Sequence, residues 1–374
     1  MKPTDILGAH NSSAFQLLSQ LILTAPTAAS SKRVVQFSDE TCERVLQMSP
    51  QQLDDLKRLA EKNHVIVRTF RWLQEMFEAG GNAEAAEWTA NALQHEHARV
   101  DHALSCLQEI CTALEKAGCR PTVIKSLDHW PDLGSDLDLY TDADTATVGA
   151  IMLSCFQAQI APRSWGDRLA NKWNFIVPGL PELVEVHVGR LGQTGEQTVL
   201  TRSLASRTHL TQVSQSLFRV AAPEDRIVIS TLQRLYRHFY IRLCDIIDNA
   251  TLIDSGVVDH AYLQSLGSET GLWQGIATYL KIVSDYVSSY RGHGPALPAF
   301  VKRAARFGTA QTYFHRDFLR VSILPHSFNL YASEFKHLLL KGEWRNSFRL
   351  SLLPCLATAA ALEQKITGSD KGIW

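Results

Sequence analysis

Two aspartates separated by a single leucine are the strongest candidates for chemistry in this sequence. They lie in the segment Gly134-Ser-Asp-Leu-Asp-Leu-Tyr140. In a β-strand the side chains alternate, so Asp136 and Asp138 share one face while the two leucines share the other. Two carboxylates held so close repel each other unless a cation lies between them. Carboxylate oxygens suit Mg²⁺, which usually keeps waters and substrate phosphates as its other ligands. The pattern therefore predicts a divalent-cation site.

A third carboxylate is expected on a neighbouring strand. In the segment 183–188, Glu185 and His187 alternate with valines, which predicts a strand with both polar side chains on one face. We therefore expect Asp136, Asp138 and Glu185 to converge on one metal-binding point. The competing interpretations are solvated acids at a strand end and, for His187, a hydrogen-bonded histidine in the core.

Four further residues around the aspartate pair are candidates for phosphate contacts. Lys125 ends a short β-branched run at 121–125, where it either steadies a phosphate or simply extends into solvent. Ser126 follows it. Gly134 allows close approach of the backbone, and Ser135 offers a hydroxyl or an amide to a phosphate oxygen.

Together these motifs resemble the polymerase-β-like nucleotidyltransferase superfamily, whose signature is G-S-D-x-D followed by an h-E-h strand. The sequence is more similar to a bacterial branch of uncharacterised nucleotidyltransferases, which carries h-h-h-K-G, D-h-D-h, h-E-h-H and a downstream basic-L-x-D-h-h-D helix. The matching segments are 123–126, 136–139, 184–187 and 242–248. The resemblance covers about 104–254, leaving the first and last hundred residues outside it.

The resemblance implies transfer of a nucleoside monophosphate from a nucleoside triphosphate, with ATP favoured, to a hydroxyl or similar acceptor. A small-molecule acceptor is favoured over a protein, and pyrophosphate leaves. Asp136 and Asp138 would hold the Mg²⁺ or Mn²⁺ ion that chelates the triphosphate, and Asp138 with Glu185 a second ion that activates the acceptor. His187 would orient Glu185 or contact the acceptor, and Lys125 would steady phosphates.

One position departs from the branch pattern. Ser126 stands where the branch has glycine, and a side chain there narrows the approach of a phosphate to the backbone. This departure favours, as an alternative to an enzyme, a module that senses a nucleotide without turning it over. A separate alternative is a helical interaction or scaffold protein whose flanks bind a partner.

The aspartates of the downstream helix have a structural interpretation as well. Asp245 and Asp248 lie three residues apart beside Arg242 and Arg237. This spacing favours a set of salt bridges within one helix.

The elements that must position these residues form a middle α/β block between helical flanks. Apolar residues recur at helical spacing across 50–78, and a second long helix is expected at 83–116. From 223 to 364 the pattern is again helical. We predict a helix-dominated α+β fold with a small mixed sheet, divided into an N-terminal helical region (1–100), a nucleotidyltransferase-like domain (101–215) and a helical C-terminal domain (216–374).

Composition restricts the partners and the compartment. The 374 residues include 37 basic and 38 acidic side chains, so no overall basic field exists to hold long nucleic acid. No apolar run approaches the ~18 residues of a membrane span. The seven cysteines form no C-x-x-C pair, which argues against a disulfide framework and against a thiolate zinc site. A reducing cytoplasm is the expected location.

Overall fold

In chain order, helices precede and follow the strands of a mixed sheet. The predicted helix-dominated α+β class is confirmed. The computed structural model describes residues 3–24, 39–192 and 196–352. The last part of the helical run predicted to reach residue 364 lies outside the described residues.

The helices within these ranges follow in chain order. They are α1 (Pro3–Thr24), α2 (Asp39–Leu46), α3 (Pro50–Lys62), α4 (Ile66–Ala79), α5 (Ala83–Lys116), α6 (Thr145–Phe156), α7 (Trp165–Leu169), α8 (Glu196–Ser206), α9 (Pro223–Thr231), α10 (Leu243–Asp254), α11 (His260–Thr270), α12 (Trp273–Arg291), α13 (Ala299–Ala304) and α14 (Phe328–Leu340). Shorter helical turns lie at Ser126–His129, Leu232–His238, Thr309–Gln311 and Ile323–Ser327.

The strands of the described residues form two sheets. They are β1 (Thr122–Val123), β2 (Asp136–Thr141), β3 (Gln159–Ile160), β4 (Lys172–Ile176), β5 (Leu183–Val188), β6 (Thr208–Val213), β7 (Ser216–Ala221), β8 (Tyr240–Ile241), β9 (Thr312–His315) and β10 (Phe318–Val321). The seven-stranded sheet has the order β3-β4-β5-β2-β1-β7-β6, and the small sheet the order β8-β10-β9. The pairs β2–β5 and β1–β7 are parallel and the others antiparallel.

The single helix predicted across 50–78 is wrong, because the structure separates α3 from α4. Ser49 and Gln52 form a capping box that begins α3. At its end the Asn63 amide donates to the main-chain oxygens of Leu59 and of Asp317, and His64 takes a left-handed φ of 53°. A left-handed residue cannot continue a right-handed helix. The helical spacing of apolar residues continues across the break and hides it.

The helical prediction for the C-terminal region is also wrong in part. β7 extends the large sheet to Ala221, beyond the predicted boundary at 215, and β8, β9 and β10 form the small sheet. β6 and β7 pair along their whole length, from Thr208 opposite Ala221 to Val213 opposite Ser216. β8, β9 and β10 have only two to four residues, and β6 and β7 carry polar residues, so their alternation is weaker than the helical spacing around them.

Helices from both ends of the chain share one hydrophobic core. α1, α3 and α4 place Leu18, Leu56 and Phe70 in the same buried cluster as Ile246 of α10 and Leu280 of α12. The division into three domains therefore stays a prediction, and α5 itself continues across its first boundary at residue 100.

A second core lies on one face of the large sheet, against α5 and α6. Its buried members include Leu137, Leu139, Val184, Val186, Leu107 and Met152. The predicted alternation along β2 and β5 is confirmed, because these apolar side chains pack on the helices. The acidic side chains at the alternate positions lie on the opposite face of the sheet.

Two expectations from composition can be compared with the structure. Within the described ranges, no helix combines the length and the apolar character that crossing a bilayer requires. The six cysteines in the described part of the chain are free thiols.

Asp225 of α9 gives a pH-dependent stability that can be measured. The side chain is fully buried, accepts a hydrogen bond from Ser203 Oγ at 2.9 Å, and its burial raises its pKa to about 6. An acid with a raised folded-state pKa binds its proton more tightly in the folded protein. The free energy of unfolding therefore falls as pH rises from about 4 to about 6.

We expect Asp225→Asn to raise the free energy of unfolding at pH 7 by about 2 kcal/mol and to leave it nearly unchanged at pH 4. Urea denaturation at the two pH values measures the difference. Asp54→Asn, an exposed position on α3, is the matched control and should change neither value. An equal effect of Asp225→Asn at both pH values would show that the charge of Asp225 is not responsible.

Candidate active site

The register of β2 and β5 brings the predicted acids together. The two strands are parallel neighbours, with Asp138 directly opposite Glu185 and Asp136 opposite Leu183. Oxygens of Asp138 and Glu185 and a ring nitrogen of His187 all lie within 4.8 Å of one another. Asp136 is not part of this group; it stands at the start of β2, half-buried, on the same face.

Two lysines neutralise the buried acids. Lys125 Nζ forms an ion pair with Asp138 Oδ1. Lys172 Nζ donates to Glu185 at 2.8 Å and lies 2.9 Å from Asp167 Oδ1. The sequence reasoning missed Lys172, although a signal existed: β4 alternates, and its Asn174 pairs with Glu185, so Lys172 shares the acidic face.

The backbone at Lys125 explains why this lysine points to Asp138. Its φ of 64° and ψ of −56° form a γ-turn, in which the Ser126 amide donates to the Ile124 oxygen at 2.7 Å. This turn with positive φ is rare and strained, and such strain concentrates at functional sites. The alternative that Lys125 extends into solvent is wrong, because its side chain is 17% exposed and ion-paired.

Ser126 is used by the strand rather than left available to a ligand. Its hydroxyl accepts from the Asp138 amide at 2.7 Å and donates to the Asp136 main-chain oxygen at 3.1 Å. The side chain is buried. Ser126 therefore fixes the γ-turn to β2, and its predicted phosphate contact through the hydroxyl would require both bonds to break.

Gly134 and Ser135 lie at the entrance to β2. A Cβ atom at Gly134 would come within 3.3 Å of the His64 ring, so the close approach made there is to a side chain of the protein. Ser135 is exposed, and its hydroxyl donates to Asp136 Oδ2 at 3.2 Å. Both residues line the same cleft as the acids.

The charges on the acidic face are unevenly distributed. Burial raises the pKa of Asp138 to about 7; Lys125 opposes this shift, and Glu185 and Asp136 add to it. Burial also raises the pKa of Asp136. For Glu185, burial acts in the same direction, but Lys172 and Lys125 outweigh it and the pKa is lowered. When all three acids are ionised, their negative charges repel one another. A divalent cation bound between them would offset this repulsion.

His187 lies in the centre of this face without a hydrogen bond. Neither ring nitrogen has a partner in the described part of the structure, and the side chain is buried. Burial lowers its pKa well below the ordinary value, with Lys125 and Lys172 acting in the same direction, so the ring is neutral. The interpretation as a hydrogen-bonded core histidine is therefore wrong, and His187 does not orient Glu185 through a hydrogen bond.

The acidic face forms the floor of a large cleft. Its volume is about 1900 Å³, well above the ~300–1000 Å³ of ordinary small-molecule sites. A second wall is basic and is contributed by the Leu232–His238 segment, by the start of α10 and by the small sheet. Its arginines are Arg234, which is paired with Asp245, and Arg237, Arg242, Arg316 and Arg320. The guanidinium carbon of Arg242 lies 5.6 Å from the centre of the Tyr240 ring and 5.9 Å from that of Phe318. The cleft is therefore lined by both acidic and basic side chains.

The aspartates of α10 are structural, but their predicted partners are wrong. Asp245 forms an ion pair with Arg234, at 2.6 Å. Asp248 lies 2.8 Å from Arg68 and 2.6 Å from Nδ1 of His129. Both aspartates thus tie α10 to other elements of the cleft instead of to arginines of their own helix.

Among known proteins, a solved structure shows a distant likeness to this chain. No family model matches the sequence, and no curated protein matches it. Among solved structures, the crystal structure of an antigenic nucleotidyltransferase-like protein from Paracoccidioides brasiliensis is similar to 53% of this chain and to 95% of its own. The identity is 14% and the TM-score 0.34. This likeness is too distant to assign a residue or an activity.

Proposed function

We propose that this protein is a metal-dependent nucleotidyltransferase. It transfers a nucleoside monophosphate from a nucleoside triphosphate, with ATP favoured, to a hydroxyl of a small-molecule acceptor, and pyrophosphate leaves. One observation carries the proposal: Glu185 lies directly opposite Asp138 on a parallel strand, with Asp136 on the same face, at the floor of a cleft with a basic wall. A cleft lined by both acidic and basic side chains is suited to a metal-chelated triphosphate.

The side chains present fit a divalent metal ion. Asp136, Asp138 and Glu185 are oxygen ligands on one face, and burial raises the pKa of two of them because the charges lack solvent. These three residues would hold Mg²⁺ or Mn²⁺, which supplies charge neutralisation for the triphosphate and lowers the pKa of an acceptor hydroxyl.

The remaining residues of the cleft have separate tasks. Lys125 and Lys172 already contact the carboxylates, so each is within reach of phosphate oxygens brought to the same point. Arg242, packed beside Tyr240 and Phe318, would contact the outer phosphates. His187, neutral and without a partner among the described residues, offers a nitrogen that can accept a hydrogen bond from the acceptor hydroxyl.

The test is pyrophosphate release by the purified full-length protein. Each of the four common nucleoside triphosphates is supplied with Mg²⁺ and a panel of hydroxyl-bearing small molecules, and chelation by EDTA is the control. We expect release with at least one acceptor and none after chelation. Thermal unfolding under the same conditions measures binding, because a ligand at about 100 times its Kd adds about 2.7 kcal/mol to the stability of the folded state.

A second candidate, a module that binds a nucleotide without turnover, is favoured by Ser126. The buried Ser126 side chain occupies the position at which the similar bacterial nucleotidyltransferases have glycine, and its hydroxyl is hydrogen-bonded to β2. Stabilisation by a nucleotide and Mg²⁺ with no pyrophosphate release under any acceptor condition would support this candidate. Absence of both effects would instead support a helical scaffold.

A further inference from the structure

Three potential metal ligands from distant parts of the sequence meet beside the acidic face. His64 lies between α3 and α4, His129 ends the turn Ser126–His129, and Cys244 is in the first turn of α10. A ligand atom of each lies within 4.8 Å of the others. His129 and Cys244 are buried, and His64 is partly buried.

His129 is held in the manner of a metal-binding histidine. Its Nδ1 contacts Asp248 Oδ2 at 2.6 Å, and Asp248 is in turn held by Arg68 at 2.8 Å. The other nitrogen, Nε2, is directed at Cys244 Sγ, 3.8 Å away. A carboxylate on one imidazole nitrogen fixes the ring so that the other can bind a metal. The N···S separation is close to the ~3.5 Å expected for two ligands of one tetrahedral zinc ion.

The contacts of His64 with its neighbours do not account for its position in the structure. It holds a left-handed backbone with φ of 53°, and Gly134 leaves room for its ring. Its Nδ1 is buried and has no hydrogen-bond partner among the described residues. His129 and Cys244 already contact each other, whereas His64 Nδ1 has no hydrogen-bond partner among the described residues. A metal ion bound by all three residues would give His64 a partner.

We propose that His64, His129 and Cys244 form a second metal site, suited to Zn²⁺, whose fourth position faces the cleft. One thiolate and two imidazoles suit zinc, whereas the all-oxygen site on β2 and β5 suits Mg²⁺. His64 and His129 also line the cleft, so the fourth position is open to water or to a bound substrate. On binding, the Cys244 thiol loses its proton and His129 binds as the neutral ring. The site does not depend on the proposed transfer activity.

The experiment uses the full-length protein with zinc or cobalt as the probe. Protein produced with zinc and dialysed extensively is analysed for metal, and we expect about one Zn²⁺ per chain, consistent with one three-residue site. After replacement by Co²⁺, the unmodified protein should show sulfur-to-cobalt charge-transfer absorption, which requires a thiolate ligand. This spectrum needs no variant, so the test survives if a variant does not fold.

Variants then assign the site. Cys244→Ser and His64→Asn should each lower zinc content at least about tenfold, and Asp248→Asn should weaken zinc affinity about 10- to 100-fold. Cys111→Ser, a buried cysteine in the other core, is the matched control and should keep both zinc and the cobalt spectrum. Absence of the charge-transfer band, zinc that is lost on dialysis, or zinc lost in Asp138→Asn but kept in Cys244→Ser would each overturn the proposal.

Discussion

Asp138→Asn is expected to lower the rate of the proposed nucleotidyl transfer by about three orders of magnitude, equivalent to about 4 kcal/mol of transition-state stabilisation. Asparagine keeps the size of the side chain but removes the negative charge. Asp138 lies between its two partners on the acidic face, opposite Glu185 and two residues after Asp136. A loss at this position therefore affects every cation that the face holds.

The measurement is Mg²⁺-dependent pyrophosphate release at saturating nucleotide, with circular dichroism to verify the fold. Asp142→Asn is the matched control, since Asp142 follows the same strand but is exposed. It should retain the full rate. If Asp138→Asn keeps more than about a tenth of the activity while Asp142→Asn behaves as expected, Asp138 is not a metal ligand in the reaction.

The acidic face was predictable because it depends on local alternation. Asp136 and Asp138 on β2, and Glu185 on β5, lie on the face opposite to the leucines and valines, as their spacing indicates. Alternation fixes which face a side chain takes, and it needs no knowledge of the neighbouring strand. That β2 and β5 are adjacent was expected because a metal site needs a third carboxylate; spacing within one strand does not by itself identify the partner strand.

The partners of the buried charges could not be predicted in the same way. Spacing placed Asp245 and Asp248 beside arginines of their own segment, whereas the structure gives them Arg234, Arg68 and His129. Ion pairs between distant residues depend on how the helices pack. Spacing within a helix predicts only partners three or four residues away, and it cannot show that a distant residue is bound instead.

The sequence reasoning about a thiolate zinc site considered C-x-x-C pairs alone, so it could not identify the group of His64, His129 and Cys244. Ligand-spacing rules describe sites built from one or two short segments. His64, His129 and Cys244 belong to three segments more than sixty residues apart in sequence, and they meet because α4 and α10 pack around the Ser126–His129 turn. Only the tertiary structure brings such a set together.

α10 connects the features of the cleft. Its N-terminal turn carries Cys244 and Asp245, its next turn carries Asp248, and Arg242 immediately precedes it. A displacement of α10 would therefore alter the basic wall, the proposed zinc site and the buried ion pairs together. The residue that fixes this helix against the preceding segment is Arg234, whose side chain is buried.

Arg234→Met is expected to destabilise the folded protein by about 3–5 kcal/mol. The Arg234 and Asp245 side chains are 2% and 3% exposed and lie 2.6 Å apart. Removing the arginine leaves the Asp245 carboxylate buried without its counter-charge, while the hydrogen bond from the Arg242 amide to Asp245, at 2.8 Å, holds it in place. The loss comes mainly from the stranded charge, because methionine fills much of the same volume.

A double variant distinguishes the effect of the unpaired Asp245 charge from the effect of lost packing. Arg234→Met with Asp245→Asn removes both charges and retains an oxygen for the Arg242 amide, so about 2 kcal/mol should be recovered relative to Arg234→Met alone. Arg202→Met is the control, because the Arg202–Glu269 pair is 68% and 46% exposed; it should change stability by less than about 0.5 kcal/mol. Urea denaturation at pH 7 measures all four proteins. If the double variant is no more stable than Arg234→Met alone, the unpaired charge of Asp245 does not destabilise the protein. Arg234 would then stabilise α10 through its packing.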